Sequence, residues 1–203
     1  MQFASYTDFR EKVRLLIEGE QVGSTFNTGS LDLIIGLAEN RVYRDLRVST
    51  MLDTATLAVT NNLAPLPADL VELKAVWQER DRPIEIISLD RVNRLGLNGG
   101  RTHFAAQDGD RLRFAFEASG TVEVEYYARP TAMESETTWA NQTTLARYPE
   151  VFLFASVAES APFLGEDARM PMWEQKYAQA LAQAKSDDRW RVFGAGPIRI
   201  RTR

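Results

Sequence analysis

The sequence predicts an α+β protein: an antiparallel bundle of about four helices, an inserted antiparallel β-sheet subdomain and an extended C-terminal tail. Three observations predict it. Apolar residues recur at helical spacing near both ends of the chain, over residues 5–46 and 149–186. The middle, about residues 50–128, switches to a two-residue alternation broken by turn residues. Beyond residue 187 no helical period remains. The expected division is a helical core of residues 1–48 and 131–187, a β-rich insertion of residues 49–130 and a tail of residues 188–203.

The first helix is expected over residues 5–19, where Tyr6, Phe9, Val13, Leu16 and Ile17 share a face and Ser5 or Thr7 can cap the start. A polar loop, residues 20–29, leads to a second helix capped by Ser30 and running to about Leu46. Leu31, Ile34, Ile35, Ala38 and Val42 form its main stripe, which Leu33 and Leu37 widen. Residues 50–60 read as a strand, broken by the segment Leu66 to Asp69. Residues 70–78 alternate, with Val71, Leu73, Ala75 and Trp77 on one side, and turn through Glu79–Pro83 into Ile84–Ile87. Ser88 caps a short helix, Leu89–Leu95, that ends at Gly96.

Three further strands follow. Residues 102–107 and 111–116 flank Asp108-Gly109-Asp110, a strong hairpin signal, and residues 121–128 complete the sheet before Pro130. Residues 131–148 form a polar connector, and a helix over residues 149–161 comes next. Val151, Phe152, Leu153, Phe154, Val157 and Ala158 leave that helix almost no polar face. It needs cover on more than one side, either as a central core helix or with part of the cover from another subunit. Pro162 and Gly165 separate it from a last helix, about residues 167–186, with Met170, Trp173, Tyr177, Ala180, Leu181 and Ala184 on its stripe.

Composition narrows the function. The chain of 203 residues carries a net charge of -4, unlike the basic balance of a general nucleic-acid binder. It has no cysteine, which removes disulfides, thiolate metal sites and Cys nucleophiles. No stretch reaches the roughly 20 apolar residues that span a bilayer, and the N-terminus lacks the order of a signal peptide. Asn141-Gln142-Thr143 matches a glycosylation acceptor by chance.

Catalytic patterns are absent. His103 is the only histidine, so no His pair can ligate a metal, and no G-x-S-x-G elbow accompanies it. Neither Gly96–Gly100 nor Gly194–Pro197 has the Lys-Ser/Thr end of a phosphate loop. Glu134 and Glu136, near Trp139, are the carboxylates a glycan hydrolase would use, but solvated charge explains them as well. Arg111, Arg113, Tyr126 and Tyr127 could suggest nucleic-acid contact, which the interleaved Glu123 and Glu125 oppose. No catalytic residue, cofactor or metal site is expected.

The charge is unevenly spread. Residues 189–203 hold five arginines and no acid, so the preceding 188 residues carry -9. Arg189, Arg191, Arg199, Arg201 and Arg203 alternate with Trp190, Val192, Phe193, Ile198 and Ile200. A solubilising tail rarely contains such residues; a segment that docks on a partner does.

Leu31–Arg47, Leu66–Leu73, Val124–Pro130, Tyr148–Leu164 and Trp173–Tyr177, in this order and spacing over about residues 30–187, resemble the adaptor proteins of tailed phages, in particular short-tailed phages. Those proteins form the head-to-tail connector ring below the portal. The resemblance implies a structural virion protein of the head–tail junction, assembled in the host cytoplasm. It implies a ring of copies of itself, usually twelve, docked on the portal protein ring. Such a ring extends the DNA channel, serves DNA packaging and ejection, and offers a platform to tail nozzle or tail fibre proteins. Genomic DNA would pass without sequence-specific binding, and no membrane is involved. The portal-binding residues would be the ten tail residues just named, and Tyr43, Arg47, Val151, Phe152 and Phe154 the subunit interface. A cell-wall glycan hydrolase and a generic protein-binding module are the alternatives.

Overall fold

The computed structural model describes residues 3–18, 26–79, 82–96, 104–115, 118, 120–133, 143–164 and 169–193. They fall into two compact units, residues 1–50 with 130–203, and residues 51–129.

The first unit is helical. α1 (Tyr6–Glu18) starts where the Ser5 hydroxyl accepts from the Asp8 N–H at 3.1 Å, and buries Tyr6, Phe9, Val13 and Ile17. α2 (Thr28–Asp45) begins three residues before the expected start, because Asn27 and not Ser30 is its cap: Asn27 Oδ1 accepts from Ser30 N–H at 2.8 Å. Its far end is closed by Arg47, whose Nη1 donates to the carbonyls of Tyr43, Arg44 and Leu46 at 2.8, 3.0 and 2.8 Å. A cation on the last carbonyls of a helix satisfies orphan acceptors and complements the dipole. α4 (Thr143–Arg147), α5 (Pro149–Glu159), α6 (Ala161–Leu164) and α7 (Met170–Phe193) complete this unit.

α5 is its centre. Val151, Phe152, Leu153, Ala155, Val157 and Ala158 are all buried, and the Phe152 ring meets Tyr43 of α2 edge-on at 5.6 Å between centroids. The cover that an all-apolar helix needs comes from its own chain, from α1, α2 and α7.

The second unit is a sheet of seven strands in the order β1-β7-β3-β4-β5-β6-β2. The strands are β1 (Leu52–Val59), β2 (Leu63–Pro65), β3 (Leu70–Glu79), β4 (Arg82–Ile86), β5 (Phe104–Asp108), β6 (Arg111–Phe114) and β7 (Gly120–Ala128), with α3 (Leu89–Leu95) between β4 and β5. The two outer members of that order, β1 and β2, are successive in the chain. Asn61 and Asn62, at φ 53° and 61°, turn one into the other, and Thr60 and Leu63 exchange backbone hydrogen bonds of 2.9 and 3.0 Å. The sheet therefore nearly closes on itself as a barrel. Its interior holds Leu57, Val76, Leu112, Phe114, Val122, Val124 and Tyr126.

The expected fold class needs correction. The protein is not a helical bundle with a small inserted antiparallel sheet. It has a seven-stranded, mixed, nearly closed sheet with its own core, plus helices. The mixed character comes from β4 and β5, which pair in parallel, since the chain between them crosses over through α3. That crossover buries Val92 against Phe104, Ala106 and Ala115, so β5 is covered on both faces. Two further features escaped the sequence reading. β2 is short, and the turn into it is made by two asparagines rather than a glycine-bearing pair. In β3, register shifts between Leu70 and Glu72 and between Leu73 and Ala75 break the alternation, so Val76 points inward rather than Val71, Ala75 and Trp77. The tail also starts later than expected, because α7 continues to Phe193.

Candidate docking surfaces

The end of α7 brings together the first tail residues. Arg189, Trp190, Arg191 and Val192 are exposed in the last turns, Trp190 to 64% and Val192 to 54%. Leaving an indole this open costs hydrophobic free energy that a partner surface would recover. The turn is firmly anchored by the neighbouring residue. Asp188 is buried, and its carboxylate accepts from Ser49 N–H at 2.9 Å and from Ser49 Oγ at 2.6 Å. One residue on, Thr50 Oγ1 and Thr144 Oγ1 lie 3.0 Å apart. Phe193 ends the helix, and the remaining docking candidates, Ile198, Arg199, Ile200, Arg201 and Arg203, lie outside the described residues.

The expected subunit-interface residues divide. Tyr43, Val151 and Phe152 are 2%, 2% and 0% exposed within the single chain, where they form part of its core. Phe154 is only half-buried; it stacks on Trp173 at 6.3 Å, with Lys176 Nζ 5.6 Å from its ring centroid. Arg47 is half-buried and its guanidinium closes α2.

A groove of about 540 Å³ runs beside the base of the α7 end. One wall is α7, through Ala180, Gln183, Ala184 and Asp187; the other is the α4–α5 junction, from Ala146 to Val151. Ala180 and Ala184 give the α7 wall two small side chains, while Glu150 and Asp187 add exposed carboxylates and Arg147 an exposed cation. The Arg147 guanidinium lies 5.9 Å from the ring centroid of Tyr148, whose phenol pKa is raised by burial and drawn back by that cation.

A charged cluster that sequence reading missed ties α2, α5 and α7 together. Arg41 on α2 donates to Glu159 at 3.0 Å and, through both terminal nitrogens, to Glu174 at 2.9 and 2.6 Å. Its guanidinium also lies 4.5 Å from the Tyr177 ring centroid, and the Tyr177 hydroxyl donates to Asp45 at 2.9 Å. The Glu174 hydrogen bond chiefly raises the Arg41 pKa, and burial followed by the Asp45 hydrogen bond raises that of Tyr177. The signal was legible as spacing: Arg41 and Asp45 are four apart on one helix, Glu174 and Tyr177 three apart on the other.

His103, Glu134, Glu136 and Trp139 lie outside the described residues. Among the described residues no group of three His, Asp or Glu side chains is placed to hold a metal ion, and no helix is long and apolar enough to cross a membrane.

No curated protein matches the chain. The family described as SU10 adaptor protein matches residues 4–201, taking in the N-terminal stretch that the sequence resemblance left out. An adaptor family of phage origin implies a structural role in tail assembly and a place in the virion. With α1, the barrel and the exposed end of α7 all inside the match, the chain belongs to the SU10 adaptor protein family.

Proposed function

We propose that this protein is a subunit of a ring, of twelve copies, at the head–tail junction of a short-tailed phage. It docks on the portal ring, extends the DNA channel and carries the tail nozzle or fibre proteins. Assembly takes place in the host cytoplasm. The observation that carries this reading is the end of α7, where two arginines alternate with an exposed Trp190 and Val192 beside the Asp188 anchor. A rigid helix end presenting an aromatic and two guanidiniums has the composition of an interface hot spot. The five arginines of residues 189–203 add a basic segment to an otherwise acidic chain. Linked contacts of this kind, repeated around a ring, gain through effective concentration. The charge of -9 on the first 188 residues suits a channel that must let DNA slide, because carboxylates repel phosphate.

Deleting residues 189–203 keeps Asp188 and its hold on Ser49. The shortened protein is expected to keep its circular dichroism spectrum and melting temperature and to lose binding to portal-containing heads in a sedimentation assay. Equal attachment of both forms would remove the portal role from this segment.

A further inference from the structure

We infer that α2 of one copy seats its outward leucine ridge in the groove between α7 and the α4–α5 junction of the next copy. The inference rests on the ring reading and names the two faces that build it.

The first face is an exposed apolar pair on a helix whose other face is core. Leu33 and Leu37, expected to widen the buried stripe of α2, are instead 54% and 40% exposed. Asn40 and Arg44 continue the same outward line toward the helix end. Gly36 lies beside the leucines in the helix interior, where glycine weakens a helix relative to alanine. A Cβ built on Gly36 meets nothing within 4 Å beyond its own helix, so no described residue requires the glycine. A backbone approaching closely from another copy would.

The second face is complementary in shape and charge. Leu33 and Leu37 are knobs one turn apart, and Ala180 and Ala184 are small residues one turn apart on the groove wall. No acid lies on the outward line from Leu33 to Arg44, whereas at the groove two exposed carboxylates, Glu150 and Asp187, outnumber the one exposed cation, Arg147. The Arg44 side chain is 77% exposed, and its ion pair with adjacent Asp45 is 3.8 Å long, so its guanidinium is available to those carboxylates. Ridge and groove are different surfaces of one unit. Their contact is therefore head-to-tail, the kind that closes into a ring when the rotation permits.

The absence of cysteine makes the test clean. A full-length L37C/Q183C protein, assembled on portal rings and oxidised, is expected to give a ladder of covalent multimers on a non-reducing gel. Complete rings in micrographs with only monomer on the gel would overturn the assigned faces and leave the ring reading standing. A wild-type chain that forms no ring on portals would overturn both. The G36L variant is expected to melt no lower than wild type while ring formation needs at least tenfold more protein. Ring formation by G36L at the wild-type concentration would also refute the contact.

Discussion

Replacing Arg41 with alanine would strip the shared partner from Glu159 and Glu174 and leave the Tyr177 ring without its cation. Because the arginine side chain is 21% exposed, the loss is expected below the range for a fully buried pair, at about 2 kcal/mol by urea denaturation. Arg41→Lys keeps the charge but not the two-pronged contact, and should recover about half. Tyr126 sets a different kind of limit. Burial, then the charges of Asp69 and Asp53, push its pKa from 10.0 to about 12. The folded chain therefore favours the neutral phenol. That contribution is intact below pH 10 and disappears as the pH rises through 12. Melting temperature should fall across this window, with tyrosinate absorbance rising late, and Tyr126→Phe should flatten that part of the profile. Residues of this type mark the limit of sequence reading. The apolar stripe of α2 announces itself by period, but which of its edges stays wet does not, so Leu33 and Leu37 read as core while standing outside.

Among the elements, α5 and α7 carry opposite lessons. The length and apolarity of α5 were legible, since Pro149 opens it and apolar side chains run all round. Periodicity cannot say who covers such a helix, and its own chain does. The last two turns of α7 were missed because their buried contact is polar. Asp188 sits where a pattern search looks for an apolar residue, and it holds Ser49 instead. Asp188→Ala should cost about 1–3 kcal/mol and fray α7 from Ser186 onward, read as faster amide exchange over residues 186–193. Within the sheet, the Asp108-Gly109-Asp110 turn was plain, and Gly109 takes φ 62° there. The bulges of β3 carry no comparable mark, so its inward face was read in the wrong phase.

For the molecule as a whole, strand content was legible and closure was not. Alternation shows that strands exist, but the pairing of β4 with β5 depends on a crossover and the near-closure on a two-residue turn, both long-range outcomes of local geometry. A sheet with its own interior of Val76, Leu112, Phe114, Val122 and Val124 should stand alone. Residues 51–129 expressed by themselves are expected to melt cooperatively with a β-type circular dichroism spectrum. Non-cooperative melting would show that this core is insufficient.

One pairing in the barrel reaches beyond its stability. Leu52 stands opposite Tyr127 across β1 and β7, so the places where the chain crosses into residues 51–129 and back out are one strand spacing apart, about 5 Å. A cassette with coincident ends can be enlarged, traded or excised by a pair of recombination events without stretching the polypeptide that hosts it.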